Sequence, residues 1–127
     1  MPAITKSPRS QEILCFYAVA VMRHLGGDRQ LLREIIEIFL ATVAPMLDDV
    51  RSAVLSGDCR KVEHAAHALR GSARNFFSAR VEQAALALEG MGRRRDLADA
   101  RNTFGVLAAE VDNLRSQLEK MLRSDLT

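Results

Sequence analysis

The residues best equipped for chemistry in this chain crowd into one short run, His-Ala-Ala-His-Ala-Leu-Arg-Gly-Ser-Ala-Arg-Asn at 64–75. A neutral imidazole is a nucleophile near neutral pH, and a guanidinium holds anionic oxygens through charge-assisted hydrogen bonds. At about 100° per residue along a helix, Arg60, His64, His67, Gly71 and Arg74 fall within about 80° of one another, with Arg70 at the edge of that face. Val62, Ala66, Leu69, Ala73 and Phe76 fall on the opposite face, which makes it the core stripe. Two exposed histidines contribute little to stability, and Gly71 in mid-helix costs roughly 1 kcal/mol relative to alanine. What Gly71 provides is a missing side chain one turn beyond His67, so a partner's surface can come close to that imidazole. Arg70 and Arg74 place positive charge beside it without covering it. An imidazole that is exposed, sterically cleared and flanked by guanidinium groups is suited to carry a phosphoryl group. Periodicity does not choose between His64 and His67; the glycine four residues on favours His67.

The elements that must hold this face are all helical. Aromatic content is 5%, and no alternating β-branched run suggests a strand. Residues 1–9, with Pro2 and Pro8, read as a loose tail, 10–123 as one bundle and 124–127 as a short C-terminal tail. A first helix is expected from about Ser10 to Leu25, ended by Gly26 or Gly27 in the left-handed conformation, with Asp28 capping the next. The second runs from Arg29 to about Leu55, with Leu32, Ile35, Phe39, Thr42, Met46 and Ala53 as its stripe and a kink expected at Pro45, which removes the bond to the Ala41 carbonyl. Gly57 and Asp58 repeat the same punctuation, and the third helix, Cys59 to about Asn75, carries the histidines. A fourth covers Ala79 to about Glu89, with Val81, Ala84, Ala85 and Leu88 apolar, and is expected to close at Gly-Met-Gly-Arg-Arg-Arg, 90–95.

The last helix is expected from near Asp96, with Leu97, Ala100, Phe104, Leu107, Val111, Leu114, Leu118 and Met121 at alternating spacings of three and four. It is close to 40 Å long at about 1.5 Å per residue. Gly105 marks an expected close approach of a neighbouring helix. Short connections make neighbours antiparallel, so the fold class is all-α, an antiparallel four-helix bundle with an additional N-terminal helix.

The composition bounds the function. The 127 residues, 48% of them hydrophobic, suffice for one core, and 18 basic against 16 acidic residues leave no strong field of one sign. Neither nucleic acid nor a membrane is expected as a partner, and recognition must be local. Cys15 and Cys59 are isolated, without metal-binding spacing, which fits a reducing compartment. The apolar run at 13–22 is about half the ~18 residues of a membrane span. It follows Lys6 and Arg9, as a secretory signal would, but continues in helical spacing into Arg-His-Leu-Gly-Gly-Asp, the end of a folded helix, so a cytoplasmic protein is expected. The run holds more apolar positions than one bundle can accept. Ile13, Phe16, Tyr17 and Ala20 form a second stripe, and a weak homodimer through this helix is expected.

The segment Ala-Ala-His-Ala-Leu-Arg-Gly-Ser-Ala-Arg-Asn-Phe-Phe at 65–77 closely resembles the signature of histidine-containing phosphotransfer (HPt) domains. It puts Ala66, His67, Leu69, Arg70, Gly71, Ser72 and Asn75 on the family's motif, and the likeness extends over about residues 23–122, including the glycine pair and the Ser-Gly-Asp turn. Two positions depart from the pattern. Arg70 stands where the family has lysine, keeping the charge on a planar fork. Phe77 and Ser78 stand where a Gly-Ala pair is common.

The resemblance implies that His67 accepts a phosphoryl group from a receiver-domain aspartate and passes it to another receiver. Arg70 would stabilise the phosphorylated state, and His64, Gly71, Ser72 and Arg74 would belong to the docking surface. Response-regulator receivers and a hybrid sensor histidine kinase are the implied partners. The sequence contains no P-loop, kinase motif or acidic metal cluster, so the chain needs no cofactor of its own, and Mg²⁺ is expected on the partner receiver. A helical adaptor that docks a receiver or kinase without carrying phosphate is the alternative, with Arg93, Arg94 and Arg95 available for its interface. A metal shared by His64 and His67 is a more distant one, because no further ligand is marked out.

Overall fold

The computed structural model describes residue 23 and residues 25–124. Among them lie four α-helices, one 3-10 turn and no strand: α1, Arg29–Ser56; α2, Cys59–Ala73, followed by the 3-10 turn Arg74–Phe76; α3, Ala79–Arg94; and α4, Ala100–Ser124. Each helix packs on the next, and α4 returns to α1, closing a four-helix bundle. Most of the first expected helix, with Cys15 and the stripe proposed for a homodimer, falls outside the described residues, as do residues 1–9 and 125–127.

The helix starts follow from capping chemistry. Asp28 accepts from Leu31 N at 2.9 Å and Asp58 from Lys61 N at 3.1 Å, each satisfying an amide that has no partner within its helix. Gly57 ends α1 at φ 70°, a left-handed conformation that glycine adopts without a Cβ penalty. Pro45 lies within α1, which continues through it as one helix.

One core cluster runs through the bundle. On α2 it takes Val62, Ala66, Leu69 and Ala73, joined by Phe76 of the turn, the five residues expected. Phe76 meets Phe39 of α1 edge to face, with ring centroids 5.0 Å apart. On α1 the buried positions are Leu32, Ile36, Phe39, Val43, Val50, Ala53 and Val54. The expected Ile35, Thr42 and Met46 lie beside this stripe, with Thr42 exposed and bonded through Oγ1 to the Ile38 carbonyl. Apolar residues surround this part of α1, and packing against α2 and α4 selects the register.

Four further expectations are corrected. Helix α2 ends at Ala73, and the stretch to Phe76 tightens into a 3-10 turn. The fourth expected helix runs on to Arg94, because Gly90 and Gly92 are buried inside α3; a Cβ on Gly92 would stand 2.5 Å from the Cys59 carbonyl oxygen and 2.7 Å from Glu63 N. Gly92 lets α3 approach the backbone of α2, and Arg95, at φ 59°, is where the chain turns. The last helix begins at Ala100 rather than Asp96, whose carboxylate instead accepts from Ala98 N in the preceding turn. Gly105 is exposed with open space around it, so the close approach expected there occurs at Gly92.

Candidate functional site

Because α2 buries one face, Arg60, His64, His67, Gly71 and Arg74 form an exposed ridge along the other. The ridge ends at the 3-10 turn, where Phe77 sits at φ 53° and Ser78 caps α3 by accepting from Val81 N. A left-handed backbone favours glycine, so Phe77 holds a conformation that costs a side-chain-bearing residue on the order of 1 kcal/mol. Gly71 is open, since a Cβ there would meet nothing within 4 Å. Ser72 is half-buried, off the crest of the ridge.

The side of the ridge that faces α3 holds a charged network centred on Glu89. Only 5% of Glu89 is exposed. Its Oε2 lies 3.0 Å from His67 Nδ1 and accepts from Arg93 Nη2 at 3.3 Å, while its Oε1 accepts from Arg70 Nε at 3.0 Å. Arg70 Nη1 also approaches Glu82 Oε2 at 3.7 Å, and Arg93 Nε approaches Glu63 Oε2 at 3.5 Å. Burial acts to raise the pKa of Glu89, but the hydrogen bonds from Arg70 and His67, together with their charge, outweigh it and hold the carboxyl below its ordinary 4.5.

The ionisation of Glu89 decides the chemistry of His67. A carboxylate only accepts hydrogen bonds, so the ring proton resides on Nδ1 and the lone pair of the neutral imidazole on Nε2. Nδ1 is turned to a buried group while 67% of the His67 side chain is exposed, so Nε2 is the nitrogen available to an incoming group. Arg70 Nη2 stands 3.5 Å from Nδ1; both atoms carry hydrogen in this tautomer, so the contact brings charge near the ring without a hydrogen bond. Arg70 is less free than the sequence implies. Its side chain is only 17% exposed, and it braces Glu89 as much as it presents charge to solvent.

His64 lies on the other side of the ridge, beside a groove of about 540 Å³ between α1 and α2 that Asp49, Ser52, Ser56 and Lys61 also line. Among the described residues the side chains of His64 and Arg74 have no hydrogen-bonding or ionic partner, and no group of three or more His, Cys, Asp or Glu could hold a metal ion. His64 and His67 are therefore not brought together around a third ligand.

Sequence reasoning missed Glu89 and Glu82, and read Arg93 only as part of a basic run available to an adaptor's interface. A signal was present for the first: Glu89 is four residues after Ala85 and eight after Val81, an acid on the apolar stripe of α3. A carboxylate at such a position needs a partner, and the partners come from α2.

A sequence model described as the Hpt domain matches residues 34–117, about two thirds of the chain. No curated protein and no solved structure matches the chain. With an exposed histidine and its basic neighbour on one helix of a four-helix bundle, and with the matched region spanning all of that ridge, the chain belongs to the Hpt domain family, the phosphocarrier modules of two-component phosphorelays.

Proposed function

We propose that His67 is the phosphoacceptor, taking a phosphoryl group from an aspartyl phosphate on one receiver domain and returning it to the aspartate of another. The observation that carries this reading is the hydrogen bond between His67 Nδ1 and the buried Glu89, which leaves Nε2 with its lone pair outward. In the forward step the Nε2–P bond forms as the P–O bond to the receiver's aspartate breaks, and the aspartate leaves as a carboxylate. The ring proton stays on Nδ1, held by Glu89 Oε2, so no proton has to move. The positive charge that the ring acquires lies against a carboxylate, and Arg70 offsets the added negative charge of the phosphoryl oxygens. Mg²⁺ and the carboxylates that bind it belong to the receiver, and this chain supplies a positioned nucleophile and a docking face.

Gly71 would give the receiver clearance over the ridge, with His64, Ser72 and Arg74 along its path. The test is incubation with a receiver carrying labelled phosphate, followed by acid- and alkali-stability analysis of the product. Alkali-stable, acid-labile label on this chain is the expected result. Binding without transfer of label would overturn phosphotransfer in favour of an adaptor.

A further inference from the structure

Two turns before His67, the N-terminal end of α2 and the C-terminal end of α3 enclose a cleft of about 530 Å³, lined by Arg60, Arg93 and Arg95 together with Asp58 and Glu63. Its two acids are engaged locally, Asp58 in capping Lys61 N at 3.1 Å and Glu63 with Arg93 at 3.5 Å. Arg93 is also tied to Glu89. Arg60 and Arg95 are exposed and have no ionic partner among the described residues, and with Arg93 they set three guanidinium groups against two carboxylates, so the cleft lining carries a surplus of one positive charge.

Its place on the molecule gives that charge a use. Arg60 and His67 share the ridge and are seven residues apart, about 10 Å at ~1.5 Å per residue. A specific interface of about 800 Å² per partner, if round, reaches about 16 Å from its centre. A protein seated on His67 therefore covers this cleft. Burying two guanidinium groups that have no ionic partner against a neutral surface is unfavourable, whereas facing carboxylates would convert them into recognition elements and speed encounter.

We infer that Arg60 and Arg95 form a subsite that receives acidic side chains of the docking receiver and selects among receivers by their charge. This rests on the reading of His67 as a receiver-docked phosphoacceptor. The test uses the full chain and the purified receiver domains encoded in the same genome, with two readouts, equilibrium binding and phosphoryl exchange. In the Arg60→Glu/Arg95→Glu double variant, binding of the preferred receiver should weaken tenfold or more, exchange should suffer through KM with kcat nearly unchanged, and the dependence of Kd on salt should flatten. The Arg60→Gln/Arg95→Gln variant should fall between the two, and both should keep the wild-type melting temperature.

The outcomes separate the two ideas. If receivers bind without exchanging phosphate and charge reversal weakens them, the subsite stands and the phosphotransfer reading falls. Unchanged binding and KM in the charge-reversed chain overturn the subsite, whatever the exchange assay reads. If no receiver binds, both are overturned.

Discussion

His64 and His67 are the same residue type on the same exposed ridge, one turn apart, yet the bundle treats them differently. His67 leans toward α3 and meets a buried carboxylate at 3.0 Å, which fixes its ring and tautomer. His64 leans toward α1, where its surroundings are a groove with serines and an exposed lysine, and nothing holds its ring. Exposure and a helical face are thus insufficient to make a histidine chemically distinct. The distinction comes from what the neighbouring helix offers about 60° further round the helix axis.

The strongest way to break this comparison is to remove each ring in turn. His67→Gln should abolish phosphoryl acceptance while the melting temperature stays within a few degrees of wild type, since the exposed side chain leaves no cavity. Label retained on the His67→Gln chain would assign the chemistry elsewhere.

Removing the carboxylate should bring His67 closer to the condition of His64. Glu89→Ala deprives the Arg70 and Arg93 guanidinium groups of their acceptor, so stability should fall by about 1–3 kcal/mol in denaturant titrations. Phosphoryl acceptance should slow by roughly tenfold, because the ring is no longer held in one tautomer. Glu89 has a folded-state pKa depressed below 4.5, so its contribution to stability is fully present above 4.5 and lost as pH falls through the depressed value. A Glu89→Gln chain should lack this part of the acid limb, which melts between about pH 3 and 6 would reveal.

Gly71→Leu sharpens the comparison from the partner's side. Open space surrounds the position, so stability should be equal or slightly higher while transfer from a receiver slows several-fold. An unchanged rate would mean that the receiver does not pass over this residue. The smallest effect is expected for His64→Gln, less than about twofold in transfer rate with no change in melting temperature, because no hydrogen bond is lost.

How much of this could be read from the sequence depended on how local each signal was. The ridge of α2, its core stripe and the Gly57–Asp58 junction follow from spacing and capping within a few residues, and the structure keeps them. Glu89 was not legible as a site residue, nor Arg93 as its partner, because the role of Glu89 depends on α3 lying against α2, a relation between segments more than twenty residues apart. Gly90 and Gly92 misled for a related reason. Their weak helix propensity reads as a stop, whereas both are buried within α3, Gly92 against the backbone of α2, and the helix continues through them. On α1, apolar residues occur on so many faces that spacing alone fitted a stripe through Ile35 and Thr42, while the bundle buries Ile36 and Val43.

The close seating of α3 on α2 at Gly92 sets a mechanical tolerance for the site. Glu89 lies one turn earlier on α3 and His67 lies two turns beyond Cys59 on α2, so the same pair of helices carries both ends of the hydrogen bond. A methyl group on residue 92 would stand 2.5 Å from the Cys59 carbonyl oxygen, where ordinary contact begins at 3.4 Å. Moving the helices apart to make room, by about 1 Å, would stretch the 3.0 Å link between His67 and Glu89 past hydrogen-bonding reach. The missing atom at 92 therefore works as a spacer gauge: it sets how accurately the ring is aimed, from a position outside the hydrogen-bonded group itself.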